Sequence, residues 1–372
     1  MRLLLRAGII LGILATACGK DSPTPVDFND PAAIEANLSS ADSAFDSDVF
    51  RSFTTATTEM QFAAAPALQP ASILMETIRP QLVRTGAQAF LPGLLQARRL
   101  QAVVPNLSVS AAQGRIIPDS MYGRVFEWDT AANQYSWQDS TVAGLNGVRF
   151  ILYATGLDGA VVEPVSTIGT LDIIDQSTPT TLQLHILVQG PSASPTYVDY
   201  TAAVTQGAAS ISATASGSIS NGLSGGDNKT LSFDETLTVN GNGAHIQASF
   251  DLNNPAITLL LNESVSYDNP NIILNADFRL IQNGETIRTV AHIVVNTATL
   301  ASTITVTVSV DGHPVASISG DPTSGQTQWV DAGGEPLSPA DFTALDHLFD
   351  ALEHFQEAVD GLLAPISTFS GL

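Results

Sequence analysis

Residues 244–252 read Ala244-His245-Ile246-Gln247-Ala248-Ser249-Phe250-Asp251-Leu252. Apolar side chains take every second position and polar ones fill the gaps. Side chains of an extended strand point alternately to two faces, so this spacing describes a strand with one dry face and one wet face. Ile304, Val306, Val308 and Val310 repeat it, with Thr303, Thr305, Thr307 and Ser309 opposite. Sheets wetted on one side only are mostly antiparallel. Working outward, strand-like runs occupy 124–128, 134–137, 148–153, 168–174, 181–188, 197–204, 208–219, 230–239, 257–267, 272–281, 287–295 and 315–318. The pairs Asn146-Gly147, Asp158-Gly159, Asn240-Gly241, Asn283-Gly284 and Asp311-Gly312 are tight-turn signals between or beside them. Few spacers are long enough for a crossover helix, so neighbouring strands should pair as consecutive hairpins.

A dry sheet face needs a cover, and both flanks of the chain supply helical patterns. Asp30-Pro31 opens a helix with Ile34, Leu38, Ala41 and Phe45 at helical spacing, and Val49, Phe50 and Phe53 continue in a second short helix. Near the other terminus, Ser338-Pro339-Ala340-Asp341 joins a capping serine, a proline at the first helical position and an acid three residues after the cap. Phe342, Leu345, Leu348, Phe349, Leu352, Phe355, Val359 and Leu362 then form one apolar stripe. The expected fold class is α+β: a long, curved antiparallel meander, covered on its apolar face by N-terminal helices and a C-terminal helix. The expected divisions are a signal peptide at 1–17, a lipidated tether at 18–30, a helical segment at 31–104, the β body at 105–337 and the closing helix at 338–364.

The first twenty residues carry an address. Arg2 and Arg6 flank a short leucine run, and Ala7 to Ala15 is an apolar core too short to span a bilayer, which takes about 20 residues. Ala15-Thr16-Ala17-Cys18-Gly19 comes next, with small residues leading to the one cysteine of the chain. This arrangement resembles the lipobox of bacterial lipoprotein precursors, with Ala15 where leucine is most often found. The resemblance implies cleavage before Cys18, acylation of its thiol, and a lipid-anchored protein of the cell envelope. Gly19, rather than aspartate, after the cysteine implies sorting to the outer membrane. Residues 146–154, Asn-Gly-Val-Arg-Phe-Ile-Leu-Tyr-Ala, resemble segments of uncharacterised β-rich bacterial lipoproteins, a likeness that implies no activity.

Composition narrows the partners. The net charge is −22, and removal of 1–17 leaves 36 acidic against 12 basic residues. No lysine or arginine occurs after Arg288. Such a charge repels nucleic acid, which is excluded as a partner. Aromatic residues are only 6% and show no girdle pattern, which argues against a membrane-spanning barrel.

Chemistry-bearing motifs are sparse, and no catalytic residue is assigned. His347, Asp350 and His354 share a helix face and are weak candidates for a metal, although a solvated acidic face explains them. His185, His245 and His292 fall at strand positions, where neighbouring-strand contacts account for them. Ser218-Ile219-Ser220-Asn221-Gly222 has a faint nucleophile-elbow look without the leading glycine. Gly225-Gly226-Asp227-Asn228 and Asp251-Leu252-Asn253-Asn254 are turn-forming before they are calcium-binding. Phosphate-binding glycine loops, CxxC and HExxH are missing, so no cofactor is expected.

The residues support two readings. In one, the chain is a structural or surface-displayed lipoprotein whose sheet is filled by its own helices. In the other it carries a hydrophobic small molecule, an architecture similar to that of bacterial carriers that ferry lipoproteins to the outer membrane. Ile246, Phe250, Leu259, Leu261, Phe278, Ile293 and Val306 would then line the site. The expected partners are the membrane, through Cys18, and such a ligand or an envelope protein.

Overall fold

The computed structural model describes residues 115–156, 160–299, 301–321 and 326–339, with positions 49, 52, 56, 341 and 345. The divisions at 1–17 and 18–30 and most of the helical segments lie outside these residues. Fifteen strands form one sheet: β1 (Arg124–Asp129), β2 (Gln134–Thr141), β3 (Gly147–Tyr153), β4 (Thr167–Asp175), β5 (Thr181–Gln189), β6 (Thr196–Gln206), β7 (Ser210–Ser220) and β8 (Thr230–Asn240), then β9 (Gly243–Asn253), β10 (Ala256–Asp268), β11 (Asn271–Gln282), β12 (Glu285–Asn296), β13 (Ser302–Val310), β14 (His313–Asp321) and β15 (Gln326–Asp331). From β3 to β15 every strand pairs antiparallel with its chain neighbours. The expected meander of consecutive hairpins is therefore the architecture of the sheet.

Chain-order pairing fails at one end. β1 lies between β2 and β3 and runs parallel to β3. Chemistry explains the exchange. β2 (QYSWQDST) is too polar to be buried on either side, so it takes the edge. β1 brings Phe126 inward, where its ring stacks on Phe150 at 4.6 Å between centroids. The last strand, β15, was not expected from the sequence, because its six residues carry only a short apolar pair, Trp329-Val330.

Two-residue turns hold the register. Asn283 and Gly284 have φ of 52° and 83°, and Asp311 and Gly312 have 50° and 82°. Both pairs therefore have the positive φ at both central positions of a type I′ turn, whose twist matches that of the strands. At the start of the body, Asp175 ties down the incoming chain. Its carboxylate accepts the backbone N–H groups of Ile116 (2.7 Å), Ile117 (2.8 Å) and Ser177 (2.9 Å).

The apolar positions stay in phase across the sheet. One line of directly paired residues runs Val310, Ile287, Leu280, Leu259, Phe250, Phe233, Gly217, Tyr200, Ile186, Ile173, Val148. All but Gly217 are buried. Gly217 has a role in this line. It stands between Tyr200 and Phe233, whose rings meet over it at 5.8 Å between centroids. Two aromatics thus cover the strand that has no side chain there. A Cβ at Gly217 would press on the Asp199 carbonyl oxygen and on Cα and Cβ of Tyr200. Gly217→Ala is expected to lower stability by about 1–3 kcal/mol, as overpacked cores do. Chemical denaturation measures this, and an unchanged midpoint would contradict the close approach.

Candidate functional site

All seven residues expected to line an apolar site share one face over β9–β13. Leu259 pairs with Phe250 and Leu261 with Phe278. Ile246, Phe250, Leu259, Phe278, Ile293 and Val306 are buried, and Leu261 is half-buried against the same core. This burial exists within the single chain. Three helical positions before the sheet take part: Val49, Ser52 and Ala56 are buried at a spacing of three and then four residues, which is one face of a helix. The Ser52 hydroxyl accepts the Tyr153 backbone N–H at 3.2 Å. Leu345 is 0% exposed and belongs to the same cluster of core residues.

The helix opening at 338 has the expected reciprocal cap. Ser338 Oγ accepts the Asp341 N–H at 3.2 Å and donates to Asp341 Oδ2 at 2.6 Å, and the Ser338 N–H returns to that carboxylate at 3.2 Å.

The dry face is not uniform. Its two middle lines hold many alanines: Ala291 and Ala276 in one, Ala248, Ala215 and Ala202 in the other. They share these lines with Ile246 and Leu237 in the first and with Phe278 and Leu261 in the second. Glu263 lies in the first line, between Ala276 and Ile246, and Glu235 in the second, between Ala248 and Ala215. Both carboxylates are buried, and neither is without a partner. Sequence reasoning overlooked them, although the signal was present. Phe233-Asp234-Glu235-Thr236-Leu237 and Leu261-Asn262-Glu263-Ser264-Val265 each put an acid in the apolar phase.

The wet face carries the histidines. His245 Nε2 contacts Asn262 Oδ1 at 2.9 Å, His292 Nδ1 contacts Asn275 Oδ1 at 2.7 Å, and His185 Nε2 contacts Asp199 Oδ1 at 2.8 Å. Each partner lies on the adjacent strand, as expected for cross-strand contacts. A depression of about 320 Å³ opens on this face, with Asp234, Thr236, Gln247, Asn262, Asp277 and Arg279 among its lining. Arg279 and Arg288 stand directly opposite each other, which is unfavourable for like charges. Asp277 resolves the conflict by accepting from both guanidinium groups at 2.8–3.2 Å. The hydrogen bonds from Arg288 and Arg279 hold its carboxyl down at about 2. This cluster was invisible in the sequence, because it depends on register.

The remaining motifs have structural uses. Ser218 and Ser220 end β7, and the chain continues through a loop into β8, so no strand–turn–helix elbow forms. Asp251 accepts from the Thr258 hydroxyl at 2.6 Å and Asn253 from the Thr230 N–H at 2.7 Å, both ordinary sheet-end bonds. Among the described residues no group of three or more His, Cys, Asp or Glu is placed to hold a metal ion. His347, Asp350, His354 and Cys18 lie outside those residues. Among the described residues no helix is long and apolar enough to cross a membrane. No family model, curated protein or solved structure matches this chain.

Two substitutions test these contacts. Asp277→Asn should lower the melting temperature at neutral pH by leaving Arg279 and Arg288 opposed. A carboxylate whose folded pKa is depressed stabilises above its unfolded value, near 3.8, and that contribution fades as pH falls through about 2. The gap between variant and parent in thermal unfolding should therefore close between about pH 4 and pH 2. Leu345→Ala should cost about 2–5 kcal/mol in denaturant unfolding, as for a fully buried leucine; a loss below about 0.5 kcal/mol would mark it as a surface position.

Proposed function

We propose that the chain is a lipid-anchored protein of the bacterial cell envelope, with a structural or surface-display role. In this reading the sheet curves around its own helices. The N-terminal segment and the helix opening at Ser338 cover the apolar face. The observation that carries the reading is that this face is buried by the chain itself, with Ala56 and Leu345 both 0% exposed among its residues. An amphipathic face closed in this way has its driving force satisfied, at about 1.5–3 kcal/mol for each large side chain removed from water.

The buried acids support the filled reading over a carrier. An acyl-chain site is lined by apolar groups, whereas Glu235 and Glu263 put two buried carboxylates among the apolar positions here. Desolvating such groups against a hydrocarbon chain would be costly. The wet face, with Thr305, His292, Asn275, Ser264 and His245 in one line, is unsuited to lipid contact along its width. The anchor is Cys18, with palmitate and diacylglycerol-type acyl chains as its modification, and the destination is the outer membrane. Two such anchoring signals give stable attachment where one chain gives only marginal attachment.

The experiment expresses the full precursor in a diderm host with an alkyne fatty acid. Label should appear on the protein and stay in the membrane fraction, and Cys18→Ala should abolish both. Native mass spectrometry of the soluble chain beginning at Gly19 should give the mass of the polypeptide alone. A co-purifying lipid of fixed stoichiometry would instead establish the carrier reading, with Ile246, Phe250 and Phe278 as the first residues to substitute.

A further inference from the structure

Among the described residues five large apolar side chains are well exposed: Trp137, Val162, Val165, Leu223 and Val290. Three of them lie at one end of the sheet. Val162 and Val165 belong to the loop after β3, and Leu223 to the loop after β7. The loop after β5 lies between these two in the same row of hairpins. At the opposite end, the described connections at 142–146, 176–180, 207–209, 241–242, 269–270 and 297–299 expose no large apolar side chain.

We propose that this end of the sheet is a bilayer-contact surface, on which Val162, Val165 and Leu223 enter the headgroup region of the membrane that holds the Cys18 anchor. The inference rests on the lipoprotein reading above. Leu223 is 57% exposed on a loop that is tied down from within. Asn221 Oδ1 accepts the N–H groups of Leu223 and Lys229, both at 3.1 Å, and its amide donates to the Asp227 carbonyl at 2.9 Å. Asn254 donates to the Gly226 carbonyl at 2.6 Å, and Gly222 lies against Tyr197 and Pro195 beside the loop after β5. The loop after β3 is braced too: Val162 N–H donates to Ala154 O at 2.9 Å and Ala154 N–H to Ser166 O at 3.0 Å. Braced backbones keep these side chains from folding back onto the body.

The tether is long enough to reach this end. Ser52 is bonded to Tyr153, the last residue of β3, at the base of the loop that carries Val162 and Val165. Cys18 precedes Ser52 by 34 residues, a length that spans at most about 120 Å. Three aliphatic side chains bind a bilayer weakly alone, but a tether turns the contact into an intramolecular event at high local concentration. The described loop residues Glu163, Asp227 and Lys229 are acidic in balance, and the whole chain carries −22. The surface therefore suits zwitterionic headgroups and is repelled by anionic ones.

The test places an environment-sensitive dye on Leu223→Cys in the acylated protein, where Cys18 is blocked, in phosphatidylcholine vesicles. A parallel arm holds the soluble chain from Gly19 on the same vesicles through an N-terminal hexahistidine tag and a nickel-chelating lipid. The dye at 223 should shift to the blue and lose most of its emission to a bilayer-embedded quencher. The same dye at Asn242→Cys, in the turn at the other end, should do neither. Val162→Asp with Val165→Asp, or phosphatidylglycerol in the vesicle, should reduce the shift at 223. An aqueous spectrum at 223 in the nickel arm, or equal shifts at 223 and 242, overturns the proposal. An unacylated Cys18 with the shift intact in the nickel arm overturns the lipoprotein reading and leaves the contact surface standing.

Discussion

The structure depends on one constraint: a period of two kept in phase from strand to strand. A slip of one residue in any hairpin would send all later apolar side chains to the wet side. Two-residue turns at Asn283-Gly284 and Asp311-Gly312 leave little freedom for that slip. The result is a set of unbroken lines, such as Val310 to Val148, that cross most of the sheet. Burial of these lines drives folding, and the positions of the histidines, Asp277 and the buried acids Glu235 and Glu263 are consequences of it.

Much of this was legible in the amino acids. Alternation located most strands, because each repeats its pattern over many residues; β10 alone spans thirteen. The cap at Ser338–Asp341 was legible for the same reason, since its chemistry is confined to four neighbouring residues. The failures have a common cause. That β1 would insert between β2 and β3 depends on the Phe126–Phe150 stack, a contact between strands with no mark in either segment. The Arg279–Asp277–Arg288 cluster needs the register of β11 on β12 before its members become neighbours. Of the apolar lining, the seven residues could be found from phase alone. The alanine pairs Ala276–Ala291 and Ala202–Ala215 emerge only with the register, since no single strand displays them.

An open sheet has two edges, and each invites unwanted pairing. The two are blocked by different means. β2 relies on composition: six of its eight residues are Gln, Ser, Asp or Thr, and its exposed Trp137 lies under the Arg124 guanidinium at 4.6 Å. β15 is blocked by its own chain. Asp331 Oδ1 gathers the N–H groups of Gly333 and Glu335 into a tight reversal, and Pro336 is then bridged to Val330. Leu337 N–H closes the backfold on Trp329 O at 3.2 Å. A proline at this outer position offers no donor to a further strand. The reversal also sets the direction in which the chain leaves, since Ser338 caps the next helix immediately and Leu345 is in the core one turn beyond Asp341. Edge protection and the start of that helix are therefore one structural event, which is why a short strand that the sequence pattern did not reveal stands where the chain departs from the sheet.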